Sequence, residues 1–170
     1  MQRSSFSNMP CSIAKTLDII GEWWTLLILR DVFYGVRRFE TLRSHLGISR
    51  KVLTNRLQRL IDEEILKKEL YQTSPSRYEY RLTHKGLDLL PVLLSIMKWG
   101  DQWAAEDKMP PVIFTHKDCG KETTPQLTCS CCGGELNAHN ISPKLGPGAP
   151  VEEIEKLREA SVNKKLFIEE

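Results

Sequence analysis

The chain has 170 residues, of which 41% are hydrophobic and 27% charged, with a net charge of +2. That suits one full domain with an appendage and a core that needs no disulfide staples, and it excludes a disordered chain or a secreted mini-protein. No stretch reaches the roughly 18–20 apolar residues of a membrane span, because Leu87–Met97 is interrupted by Asp88, Pro91 and Ser95. The opening MQRSSFSNMPC has no apolar h-region, so the expectation is a cytoplasmic protein without a secretory signal.

Apolar residues at 13, 17 and 20 predict a short amphipathic helix over 12–20, with Ser12 as its cap. Gly21 breaks it, and 22–33 is apolar on nearly all sides, which predicts a buried central helix ended by Gly35. Phe39, Leu42 and Leu46 mark a third helix over 38–46, followed by the tight connection Gly47-Ile48-Ser49, whose serine suits an N-cap.

The helix over 50–63 is the most informative. Leu53, Leu57, Leu60 and Ile61 form one buried stripe. Arg50, Lys51, Thr54, Asn55 and Gln58 recur on another face, which carries no carboxylate.

Residues 65–72 and 78–82 alternate as two strands around the tip TSPSR, which holds Pro75 and the cation Arg77. Thr83 then caps a helix over 84–106, which Pro91 should kink or divide. Its leucines, Ile96, Trp99 and Trp103 cover more than one face, which predicts a partner subunit over the second.

Pro110-Pro111 marks a boundary, 112–141 is a Cys-rich unit, and 142–150 is a linker. A charged helix follows over 151–168. The expected domains are a winged-helix body over 1–109, a Cys-rich unit with linker over 110–150, and a terminal helix over 151–170.

Charge is concentrated. Residues 30–59 hold eight basic and two acidic side chains, while 150–170 hold six acidic and four basic ones. A local basic cluster on a near-neutral chain points to a polyanion, or else to a solvated face. Helices 38–46 and 50–63 joined through Gly47 fit a helix-turn-helix, and the ribbon after them makes it a winged one. In that geometry the second helix enters the major groove with its N-terminal residues toward base edges. Arg50 and Lys51 suit phosphate or guanine, Asn55 suits adenine, and Arg77 suits flanking DNA. The expected contact set is Arg38, Ser49, Arg50, Lys51, Thr54, Asn55, Arg56, Arg59 and Arg77.

The strings C-S-I-A-K-T-L-D-I-I-G-E-W-W-T-L-L-I-L-R-D, R-R-F-E-T-L, G-I-S-R-K-V-L-T-N-R-L and Y-E-Y-R-L-T-H-K-G stand in order within residues 11–106. Through them the chain resembles the HxlR family of bacterial winged-helix transcriptional regulators, which are MarR-like. The resemblance implies a mainly α fold with a two-stranded wing. It implies a homodimer built from the first helix and the helix after the wing. It also implies a pseudo-palindromic DNA operator, a repressor's steric mechanism and a place on the nucleoid. Several members carry a cysteine where Cys11 stands, and in some it senses oxidants or electrophiles. The alternative for Cys11 is a half-buried side chain at the dimer interface.

His116-Lys-Asp-Cys119-Gly and Cys129-Ser-Cys131-Cys132-Gly read as two knuckles separated by nine residues. Facing each other, they would form a zinc-ribbon-like site with His116, Cys119, Cys129 and Cys132 as ligands to one structural zinc. A metal-free hairpin and a redox thiol cluster stay open beside it. A catalytic zinc centre would need a nearby general base. Glu122 and Glu135 are close in sequence, but no H-x-E or H-E-x-x-H motif is present, so no enzyme is expected. A winged-helix protein-interaction module is the other alternative, and the basic recognition face argues against it.

Overall fold

The computed structural model describes residues 5–6, 8–106, 109–142 and 146–150. The helix expected over 151–168 lies outside the described residues. The chain divides into two compact units, residues 19–135 and the described parts of 1–18 and 136–170. The Cys-rich segment up to Glu135 therefore groups with the winged-helix body, and no division falls at the boundary expected at Pro110.

Helix α1 spans Ser12–Ile20. The Lys15 amide donates to the Cys11 carbonyl at 3.0 Å, so Cys11, not Ser12, stands at the cap position. Helix α2 spans Trp23–Phe33 and buries Thr25, Ile28, Leu29, Asp31 and Val32. It is not buried all round, since Trp23 is 91% exposed and Leu27 one turn on is also exposed. Helix α3 spans Phe39–Leu46 and closes on Gly47 at φ 65°. That left-handed conformation costs an L side chain roughly 1 kcal/mol, which explains glycine at the turn. Helix α4 spans Arg50–Asp62, one residue short of the expected end.

Strands β1 (Leu66–Thr73) and β2 (Ser76–Leu82) pair antiparallel from Leu66 opposite Leu82 to Thr73 opposite Ser76. The turn between them is two residues, Ser74 and a cis Pro75. Both strands thus run further than the expected tip, and Arg77 sits in β2 opposite Gln72. The register shifts between Leu70 and Gln72, a bulge at Tyr71. The Tyr80 amide donates to the Arg37 carbonyl at 2.8 Å, and Arg38 bridges to Glu79. This pairing ties the approach to α3 onto the wing.

The helix expected over 84–106 is divided as Pro91 required, into α5 (His84–Leu87) and α6 (Leu90–Trp103). Pro91 occupies the first turn of α6, where its missing N–H leaves no bond unmade. Thr83 caps α5, its Oγ1 accepting from the Gly86 amide at 3.1 Å. The core gathers α2, α3, α4, the root of the wing and α6 through Ile28, Leu29, Leu42, Leu53, Leu57, Leu60, Leu66 and Leu93. Among the described residues no helix is long and apolar enough to cross a membrane.

After α6, β3 (Phe114–Thr115) pairs antiparallel with β4 (Glu122–Thr123). The turn they enclose holds His116 to Gly120. A second turn, closed by a bridge between Thr128 and Glu135, holds Cys129 to Gly134.

Candidate nucleic-acid interface

The recognition helix is set by local chemistry. Ile48 is buried and anchors the turn. Ser49 caps α4, its Oγ accepting from the Val52 amide at 3.3 Å. Leu53, Leu57 and Leu60 face the core, at most 1% exposed. That orientation leaves Arg50, Lys51, Thr54, Asn55 and Gln58 exposed on the opposite side. The first turn holds no acidic residue. The exposed face therefore offers a polyanion N–H donors at the positive end of a helix.

Not every expected cation is available. Arg56 is 25% exposed and paired with Glu22 at 2.8 Å, which ties α4 to the residue before α2. Arg59 lies 3.5 Å from Glu63, the residue that caps the C-terminal end of its helix. Arg50 is 68% exposed but ion-paired with Glu40, and its guanidinium lies over the Phe39 ring at 5.1 Å. The Arg43 hydrogen bond, at 2.9 Å, and the Arg50 guanidinium together hold the Glu40 carboxyl below its ordinary range.

Beside α4, a groove of about 540 Å³ opens between α3 and the wing. Arg38, Arg50, Lys68 and Arg77 line it together with Phe39, Tyr71 and Tyr78. The cations are held on the aromatics: Arg38 lies 4.4 Å from the Tyr71 ring centroid and Lys68 4.9 Å from that of Tyr78. Lys68, Tyr71 and Tyr78 were not among the expected contacts. The signal for Lys68 and Tyr78 is the two-residue alternation that places Lys68, Leu70, Tyr78 and Tyr80 on one wing face, whereas Tyr71 joins them only through the bulge.

The Cys-rich segment builds both turns but not one site. In the first, the Gly120 amide donates to the His116 carbonyl at 2.8 Å, and His116 Nδ1 lies 3.4 Å from Cys119 Sγ. In the second, the Gly133 amide donates to the Cys129 carbonyl at 2.8 Å. Backbone N–H groups of Cys131 and Cys132 then favour the Cys129 thiolate and lower its pKa. Both glycines have φ near +70°, at 69° and 72°. Each turn has the donor chemistry of half a zinc site. Yet among the described residues no three His, Cys, Asp or Glu side chains converge as a metal's ligands must. The expected set of His116, Cys119, Cys129 and Cys132 does not meet in this geometry. All five thiols are free, with Cys11 and Cys129 half-buried.

Comparison with known proteins agrees with this architecture. The sequence model of the HxlR-like helix-turn-helix family matches residues 19–108. The uncharacterized HTH-type transcriptional regulator Rv3095 of Mycobacterium tuberculosis is 42% identical over 137 residues, 81% of this chain and 87% of that protein. The HTH-type transcriptional regulator YvaP of Bacillus subtilis, also uncharacterized, is 36% identical over 98 residues, 57% of this chain and 91% of its own. Among solved structures, PA1607 superposes with a TM-score of 0.72 at 31% identity, covering 83% of this chain and 99% of that one. The oxidized redox regulator HypR superposes with a TM-score of 0.50 at 31% identity, over 54% of this chain and 96% of its own. The chain belongs to the HxlR-like helix-turn-helix family.

Proposed function

We propose that the protein is a dimeric, sequence-specific DNA-binding transcriptional regulator that acts as a repressor on a pseudo-palindromic operator. The observation that carries this reading is the exposed, carboxylate-free face of the first two turns of α4, opposite its buried leucine stripe. Helix α4 enters the major groove, where Arg50, Lys51, Thr54 and Asn55 meet base edges and phosphates. Ser49 and Arg38 add contacts to the backbone. The wing lies on flanking DNA, with Arg77 and Lys68 as its cations. Arg56 serves the scaffold through Glu22 instead.

Dimerisation is supported by α6, which leaves Val92, Ile96, Trp99 and Trp103 exposed at i, i+4, i+7 and i+11. Such a stripe on a single helix is what a second subunit covers. Two copies related by a two-fold axis present two α4 helices to half-sites about 34 Å apart. Occupying the operator blocks polymerase, and a signal that changes the helix spacing releases it. The relatives named as transcriptional regulators support the same reading.

The test is selection of duplexes from a random library by the purified full chain. The expected product is a motif of two related half-sites about one helical turn apart. Retention should fall steeply as salt rises. No enriched motif, with any retention insensitive to salt, would overturn the reading.

A further inference from the structure

On the far side of α6 from its exposed stripe, Leu94, Met97, Lys98, Asp101 and Gln102 form one wall of a cleft of about 360 Å³. The other wall is the Cys-rich segment, with Val112, Ile113, Phe114, Thr124 and Pro125. At 3.6 residues per turn the two stripes of α6 lie about half a turn apart. We propose that this cleft is a binding site for a small, compact molecule with an apolar body and one polar end.

Three observations set the class. The volume falls in the range of small-molecule sites, roughly 300–1,000 Å³. The cleft runs along α6 from Leu94 to Gln102, a rise of about 12 Å, which is short for a docked helix or strand. Its walls are mainly aliphatic and aromatic, and α6 adds Lys98 and Asp101, one turn apart, to the lining. Among the described residues neither has an ion-pair partner, although each is in contact with the cleft. A ligand group that accepts from an ammonium and donates to a carboxylate matches that pair, as an amide, an alcohol or an aryl amine does. The apolar body is then buried between Met97 and Phe114.

The cleft depends on the segment after Pro110, so the Cys-rich appendage has a use here that requires no metal. Binding in this cleft is independent of DNA binding by α4. If both hold, the ligand presses on the helix whose opposite face is the proposed dimer contact.

The probe is N-phenyl-1-naphthylamine, an uncharged fluorophore with an apolar body and one N–H, titrated into the full chain. The expected result is saturable binding at one site per chain. Thr124→Trp fills the cleft, and Ile113→Asp places a carboxylate in it. Ile113 is 59% exposed and Thr124 is also exposed, so neither change touches the core. Each should weaken the probe about tenfold or more, a loss of about 1.4 kcal/mol, with the thermal unfolding temperature unchanged. A wild-type chain that shows no saturable binding overturns the proposal. So does binding that both variants retain, which would place the probe on the exposed α6 stripe. Failure of operator selection with probe binding intact would count against the DNA reading only.

Discussion

Glu40 on α3 holds Arg50, the first residue of α4, in an ion pair across the helix-turn-helix turn. Arg50 is therefore aimed before any nucleic acid arrives, but its charge is partly spent on a carboxylate. A phosphate must displace Glu40 to use it fully. Glu40→Gln should tighten binding to all duplexes and steepen the salt dependence by about one phosphate equivalent. The pH dependence follows from the sign of the shift. Arg43 and Arg50 lower the Glu40 pKa, so the carboxylate stays charged at every pH above its ordinary range. The latch, and the contribution it makes to the folded state, is lost only as pH falls through the depressed value. The difference between Glu40→Gln and wild type should thus stay constant between about pH 6 and about pH 8, well above ordinary carboxylate values. Fluorescence anisotropy titrations across salt and pH measure both outcomes, and a gap that narrows within that window would sink the latch.

Asn55 and Arg77 should separate base reading from backbone attraction. Asn55 is exposed on the second turn of α4, whereas Arg77 is exposed on β2. Asn55→Ala should cost about 1–3 kcal/mol at one base pair and relax preference there. Arg77→Ala should weaken all sequences alike and reduce the salt slope. Operator preference left intact by Asn55→Ala would mean that the wrong face of α4 has been assigned to the bases.

How far these elements were legible in the sequence depends on how local their causes are. The start of α4 rests on Ser49, its core face on leucine spacing, and the division before α6 on Pro91, all within a few residues. Trp23 and Leu27 misled because the run 22–33 has too few polar residues to mark a face, and packing chose it. The Arg56–Glu22 pair joins distant segments, so Arg56 read as a free cation. Lys68, Tyr71 and Tyr78 reach the groove only through strand pairing and a bulge at Tyr71. The two cysteine turns were legible as turns, but whether they face each other is a tertiary matter that spacing does not decide.

Asp31 is a fixed point of the fold. It is fully buried on α2, accepts from Arg30 at 2.8 Å and lies 2.6 Å from His45 Nδ1 on α3. Asp31→Ala leaves both partners without it. Arg30 and His45 remain partly exposed and can rehydrate, which places the cost at about 2–4 kcal/mol. For a chain of this size that lowers the unfolding temperature by about 4–16 °C. Thermal unfolding checks this, with Asp31→Asn, which keeps the shape, expected to lose less.

Gly86 tests the root of the wing. It is buried, and a Cβ there would lie 2.3 Å from the Ile65 carbonyl oxygen and 2.9 Å from Leu82 Cδ2. The first neighbour is backbone and cannot swing aside. Gly86→Ala must push α5 off the start of β1 and strain the Thr83 cap, at a cost of about 2–4 kcal/mol. At Gly47 nothing lies within 4 Å, and only the left-handed φ opposes a side chain, so Gly47→Ala should cost nearer 1 kcal/mol. Denaturant unfolding that ranks the two the other way would contradict the packing described for Gly86.

The exposed stripe of α6 is the remaining test. Ile96 is 47% exposed and Trp99 63% exposed, so Ile96→Asp leaves the buried core of the subunit intact. If a second copy covers the stripe, each subunit of the dimer buries a carboxylate with no partner, and the dimer dissociates. Light scattering should then report a monomer where the wild type is a dimer, with thermal unfolding at low concentration little changed. Operator affinity should fall by about a hundredfold or more, because the second α4 loses the effective concentration that tethering supplies. A dimer of undiminished stability in Ile96→Asp would remove α6 from the subunit contact.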